Sequence, residues 1–144
     1  MDEIRAMAAK AYNEAYEAVE SMENPSWAVE LAATSLNLWR RVGTEQNLAI
    51  GCWLYSRALA KSGAGVLALQ VARNCLTHVD AIDEPADWLR ASALEGYARA
   101  LLAASDDRFT AALAEAQAAV AALAEERDRE LIGGQLADLL ESSK

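Results

Sequence analysis

Residues 68–79 read Ala68-Leu69-Gln70-Val71-Ala72-Arg73-Asn74-Cys75-Leu76-Thr77-His78-Val79. Ala68, Ala72, Cys75, Leu76 and Val79 follow one another at steps of four, three, one and three residues, which keeps them on one face of an α-helix. Small side chains come first and larger apolar ones follow, so the face admits a close neighbour and then widens. The same steps recur in Ala28, Ala32, Ser35, Leu36 and Trp39, 40 residues earlier, and in Ala112, Ala116, Ala119, Val120 and Leu123, 44 residues later. A weaker repeat lies between these copies: Tyr12, Tyr16 and Val19, then Cys52, Ser56 and Leu59, then Gly96, Ala100 and Ala103.

Breakers set the segments around that ladder. Asn24-Pro25-Ser26 is a turn with Ser26 as candidate N-cap, and Gly43-Thr44 ends one helix and caps the next. Ser62-Gly63-Ala64-Gly65, Asp83-Glu84-Pro85, Ser105-Asp106-Asp107 and Arg127-Asp128 divide the rest, with Pro85 suited to a first turn and Asp128 to a cap. Helices are therefore expected near 2–22, 26–42, 45–62, 65–80, 85–104, 107–126 and 129–141. The short connections make successive helices antiparallel neighbours, and no Pro/Gly/Ser-rich linker splits the 144 residues, so residues 1–144 read as one all-α domain. Composition agrees: 53% of the chain is hydrophobic, much of it alanine, with only 7 Gly and 2 Pro.

Charge narrows the partners. A formal net charge of -9 opposes a phosphate backbone, so no nucleic acid is expected. No segment approaches the roughly 20 apolar residues of a membrane span, so no membrane is expected. The acidic start Met1-Asp2-Glu3-Ile4-Arg5 is unlike a secretory signal, and Cys52 and Cys75 make no disulfide framework, which makes a cytoplasmic location the default.

Catalytic signatures are missing. There is no phosphate loop, dinucleotide fingerprint, nucleophile elbow or zinc-helix motif, and nothing selects a pair among the 22 acids. His78 stands alone, so no metal site and no cofactor are expected. Cys52 and Cys75 lie 11 residues before and 12 after Gly63, at one height of a hairpin, where core packing is favoured over redox chemistry. Trp88 is placed as a staple of the Asp83-Glu84-Pro85 loop.

Tandem hairpins with a small-residue ladder on the second helix resemble tetratricopeptide repeats. Ala28, Ala68 and Ala112, each with another alanine four residues on, carry the likeness. The family's aromatic is replaced by Ala32, Ala72 and Ala116, its terminal proline is absent, and the units exceed its 34-residue period. They are closer to the longer, divergent variety found in bacterial regulators and adaptors. The resemblance implies a right-handed α-solenoid of about three units, near residues 2–42, 44–80 and 85–126, closed by a cap over 129–141 that carries Leu131, Ile132, Leu136, Leu139 and Leu140. It also implies that the first helix of each unit lines a concave face that binds a protein or peptide. Carried onto this chain, that face holds Asn13 and Glu17, then Trp53, Arg57 and Lys61, then Tyr97 and Leu101. An aromatic with two cations can stack a side chain and hold a carboxylate. The opposite reading makes Trp53 core and Arg57 and Lys61 solvated.

The expected function is thus a non-catalytic adaptor or scaffold. The alternatives are a small acidic chaperone for a secreted or regulatory client, a helical-bundle enzyme, and self-association of Ala- and Leu-rich flanks as a homodimer.

Overall fold

The computed structural model describes residues 2–144, and among them every regular element is a helix. These are α1 (Asp2–Ser21), α2 (Pro25–Val42), α3 (Glu45–Lys61), α4 (Gly65–Asp80), α5 (Asp87–Ala103), α6 (Phe109–Ala121) and α7 (Glu126–Ser142). None of the described helices is long and apolar enough to cross a membrane.

Local chemistry sets the ends. Asn24, not the expected Ser26, caps α2 by accepting from the Trp27 N–H at 3.1 Å, which leaves Pro25 in the first turn where its missing N–H costs nothing. Thr44 caps α3 as expected, in a reciprocal box with Asn47. Pro85 precedes α5, which starts at Asp87; the Asp87 carboxylate instead accepts from the Ala124 N–H at 3.1 Å and anchors the chain entering α7. That helix begins at Glu126, so Asp128 lies in its first turn rather than capping it. His78, in the last turn of α4, faces a carboxylate: its Nδ1 lies 2.6 Å from Glu45 Oε2.

The alanine ladder is core in all three copies. Ala28, Ala32, Ala68, Ala72, Ala112 and Ala116 are buried, as are Ser35 and Cys75. Two ladder positions also donate across the hairpin. The Ser35 hydroxyl reaches the Ala8 carbonyl at 2.8 Å, and the Cys75 thiol reaches the Ala49 carbonyl at 3.2 Å. From the other side, the Ser56 hydroxyl donates to the Ala68 carbonyl at 2.8 Å. Early α3 thus faces late α4 and late α3 faces early α4, which makes the hairpin antiparallel. Because Ala72 is 2% exposed in this close seam, Ala72→Leu should destabilise the fold by about 1–3 kcal/mol through overpacking, read as a lower denaturant midpoint.

A second register runs through the odd-numbered helices. Met22, Gly63 and Ser105 are the residues with positive φ (58°, 91° and 54°), and each follows the end of an odd helix, 41 and then 42 residues apart. After α3 and α5 the same turn closes: the Ala64 N–H donates to the Leu59 carbonyl and the Asp106 N–H to the Leu101 carbonyl, both at 2.9 Å. In this register Ala8, Ala49 and Ala91 are equivalent, and all three are fully buried. The even helices keep the offsets of 40 and 44, because the link from Ser105 to α6 is two residues longer than the link from Gly63 to α4.

Each helix packs on its successor, and α1 touches α3, α3 touches α5 and α5 touches α7; no even helix touches another even one. The odd helices therefore share an inner face, walled by the even ones. A Cβ at Gly133 would meet only Val120 at 3.8 Å and one at Gly134 would meet nothing within 4 Å, so no close approach to the preceding hairpin requires either glycine.

Candidate binding face

The odd-helix register aligns Tyr12, Trp53 and Glu95, then Tyr16, Arg57 and Arg99, then Glu20, Lys61 and Ala103. These rows form the inner face. At its centre the Arg57 guanidinium, 4% exposed, lies 3.3 Å from Glu20 Oε1 and 3.8 Å from Glu95 Oε1. Glu95, fully buried, accepts from Arg99 Nε at 2.9 Å through its other oxygen. Arg99 Nη2 in turn donates to the Gln135 carbonyl at 3.1 Å, which ties α5 to α7. Buried charges persist only when paired, and here Glu95 sits between two arginines while Glu20 closes the chain at the surface. The Arg57 guanidinium also lies over the Trp53 ring, 5.5 Å from its centroid, and Tyr16 stacks on Trp53 at 6.3 Å. Gly96 makes room for that indole, since a Cβ there would come within 3.1 Å of Trp53 Cδ1.

The ion cluster divides the face into two hollows. Towards the N-terminal halves of α3, α5 and α7 lies a cavity of about 260 Å³. Tyr12 and Tyr16 of α1, Ile50 and Trp53 of α3, and Trp88 and Ser92 of α5 form three of its sides. The fourth is α7, with Asp128, Leu131, Ile132 and Gln135. Towards the C-terminal ends, a more open hollow of about 380 Å³ is bordered by Met22, Lys61, Arg99, Leu102, Leu139 and Ser142. Burial, the neighbouring Tyr16 and the opposing pull of Arg57 set the Tyr12 phenol, with burial dominant, so it is held above its ordinary range and stays protonated. Burial first and then the Arg57 charge pull the Lys61 ammonium below its ordinary value.

Among the described residues four buried side-chain atoms lack a hydrogen-bond partner, Trp53 Nε1, Arg57 Nη1, Glu95 Oε1 and Gln135 Oε1, of which Arg57 Nη1 and Glu95 Oε1 face each other in the ion pair at 3.8 Å. All four belong to this face. Buried polar atoms are seldom left unpaired, and on this face Trp53 Nε1 and Gln135 Oε1 have neither a hydrogen-bond nor an ion-pair partner.

Of the residues expected on the binding face, Trp53, Arg57 and Lys61 do lie together. Arg57 is not free to hold a ligand carboxylate, however, because Glu20 and Glu95 already engage it. Asn13 and Glu17 are exposed and border neither hollow. Tyr97 is half-buried and Leu101 is fully buried core, and neither borders a hollow. Tyr97 and Leu101 lie 44 residues after Trp53 and Arg57, the offset of the even helices, whereas the odd ones repeat at 42, a rotation that moves the inner face to Ser92, Glu95 and Arg99. On α1 the face is likewise Tyr12, Tyr16 and Glu20. Trp88 borders the cavity rather than serving only its loop. The usable signal was the spacing of the turn residues, hidden because Met22 and Ser105 adopt a conformation normally marked by glycine.

The two cysteines are free and buried. Burial pushes the Cys52 thiol up to about 11 and Cys75 higher still, with Cys52 adding to the effect on Cys75, which makes both poor nucleophiles. Among the described residues no group of three or more His, Cys, Asp or Glu could hold a metal ion. No protein family matches the chain, and neither a curated protein nor a solved structure shows significant similarity to it.

Proposed function

We propose that this chain is a non-catalytic protein- or peptide-binding module, an adaptor or scaffold whose ligand lies along the inner face of α1, α3, α5 and α7. The observation that carries this reading is the cavity on that face, walled by the aromatic side chains of Tyr12, Tyr16, Trp53 and Trp88. The architecture behind it is a tetratricopeptide-like solenoid with α7 as the cap. Three features support it: the ladder repeats, the turns after the odd helices repeat, and the odd helices touch successively while the even ones stay apart.

Leu131 provides the test, because it borders the cavity yet is 58% exposed, so its replacement spares the core. Peptides selected from a displayed random library should bind the wild-type chain and lose tenfold or more in affinity for Leu131→Asp by calorimetry. Equal affinity for the two proteins would move binding off this face.

A homodimer is a second reading with its own observation. Trp27, Val66 and Leu67, at the N-terminal ends of α2 and α4, are exposed apolar residues outside both hollows. A strict monomer by light scattering at high concentration would remove it.

A further inference from the structure

The chain has only 4 Trp, 4 Tyr and 1 Phe, and four of these rings border the cavity between α1, α3, α5 and α7. The Tyr12 and Tyr16 centroids are 6.4 Å apart, and Tyr16 lies 6.3 Å from Trp53 at an interplanar angle of 26°, so three rings make one continuous wall. Tyr12, Tyr16 and Trp88 are half-buried, so they keep surface that a ligand can cover. The borders carry no lysine or arginine, and their one carboxylate is Asp128. Because α1 and α7 border the cavity without touching each other, the tyrosines and Asp128 stand on opposed walls. Asp128 is itself half-buried, and no ion pair among the described residues includes it. Of the arginines beside it in sequence, Arg127 is exposed and Arg129 is turned to the Leu123 and Ala124 carbonyls. The buried cations of the inner face, Arg57 and Arg99, are matched by Glu20 and Glu95, so that cluster adds no net positive charge to oppose a cationic ligand.

Ring faces attract cations, an unpaired carboxylate calls for one, and a chain of net charge -9 draws cations from a distance. The kind of cation follows from the walls. A primary ammonium brings three N–H donors that need acceptors once water is stripped away. A quaternary ammonium brings none, and its charge is spread over methyl groups that pack on rings and on apolar side chains such as Leu131 and Ile132. About 260 Å³ holds such a head with a few further atoms and lies below the roughly 300–1,000 Å³ of ordinary small-molecule sites. We infer that the cavity is a binding site for an organic cation with a quaternary ammonium head. Arg57 already lies over the Trp53 ring, so the methyl groups rest chiefly on Tyr12, Tyr16 and Trp88, and Asp128 supplies the counter-charge. This site does not require the peptide-binding reading above.

Three small probes separate shape from charge. Choline and 3,3-dimethylbutan-1-ol share one shape and differ in the charge at the branched atom, while 2-hydroxyethylammonium keeps the charge and lacks the methyl groups. Each is titrated into the ¹⁵N-labelled full chain while the indole N–H resonances are followed. Choline should shift Trp53 and Trp88 with a dissociation constant on the order of 1 mM, as expected for so few atoms. The other two probes should bind at least tenfold more weakly. Asp128→Asn should weaken choline by about three- to tenfold and leave the neutral alcohol unchanged. A carboxylate that serves only the start of α7 would move stability and not this ratio. Equal binding of the neutral alcohol would overturn the inference in favour of a merely apolar cavity. Equal binding of the primary ammonium would overturn the quaternary head, and choline indifferent to Asp128→Asn would overturn the counter-charge. An alanine-rich peptide with one trimethylated lysine tells which molecule carries the head. Tighter binding than choline assigns it to a partner's side chain, and binding no tighter assigns it to a free molecule. No shift with choline or that peptide, beside library-selected peptides that depend on Leu131, overturns the cation site and leaves the inner-face reading standing. Selected peptides indifferent to Leu131, beside a choline shift at Trp53 and Trp88, do the reverse.

Discussion

Glu95→Gln should destabilise the fold by about 3–5 kcal/mol, a fall in Tm on the order of 10 °C for a chain of this size. The substitution changes almost no volume, so the effect is electrostatic. Glu95 is fully buried and lies against Arg57 and Arg99, at 3.8 and 2.9 Å. Removing its charge leaves two guanidinium groups, 4% and 10% exposed at the side chain, with only the partly exposed Glu20 to balance them. Glu20→Gln is the contrasting variant: that carboxylate is 45% exposed, solvent screens it, and the cost should stay below about 1 kcal/mol. Thermal unfolding of the two variants side by side checks the difference. Comparable small losses would mean that the cluster is more hydrated than its burial indicates.

Gly65→Ala should cost about 3 kcal/mol or more, at the upper end of overpacking effects. A Cβ on Gly65 would overlap the Ala103 carbonyl group and come within 2.7 Å of the Ala104 nitrogen, so backbone and not a flexible side chain would have to move. The strain would fall on the junction where the start of α4 meets the end of α5. Gly134→Ala, in the middle of α7 with nothing within 4 Å of the new methyl, should instead stabilise by about 0.5–1 kcal/mol through helix propensity. Chemical denaturation of the pair should therefore move the midpoint in opposite directions.

The fold was legible where one residue type has one use. Small residues at helical steps, in phase with the breakers, marked the seams, and Ala28, Ala68 and Ala112 are buried as that pattern requires. Breakers were legible where they are glycine, proline or a capping hydroxyl, as at Gly63 and Thr44. The binding face was harder for two physical reasons. First, α5 touches α3, α4, α6 and α7, so it is buried on nearly every side and its apolar pattern has no single direction. Leu101 and Glu95 are then equally inaccessible, and periodicity cannot say which looks inward. Second, Arg57, Glu95 and Arg99 are residue types that normally lie in solvent, and only their mutual pairing lets them be buried. That pairing depends on the register between helices far apart in sequence, set by turn residues that are not glycine.

The four tryptophans decide the central claim, that ligands bind where the odd helices meet. Trp53 and Trp88 border the cavity, whereas Trp27 and Trp39 lie on α2 and border neither hollow. The measurement is a titration of the ¹⁵N-labelled chain with a library-selected peptide, followed at the indole N–H resonances. The account predicts that Trp53 and Trp88 shift on binding while Trp27 and Trp39 stay in place. Shifts at Trp27 and Trp39 with Trp53 and Trp88 unmoved would contradict it.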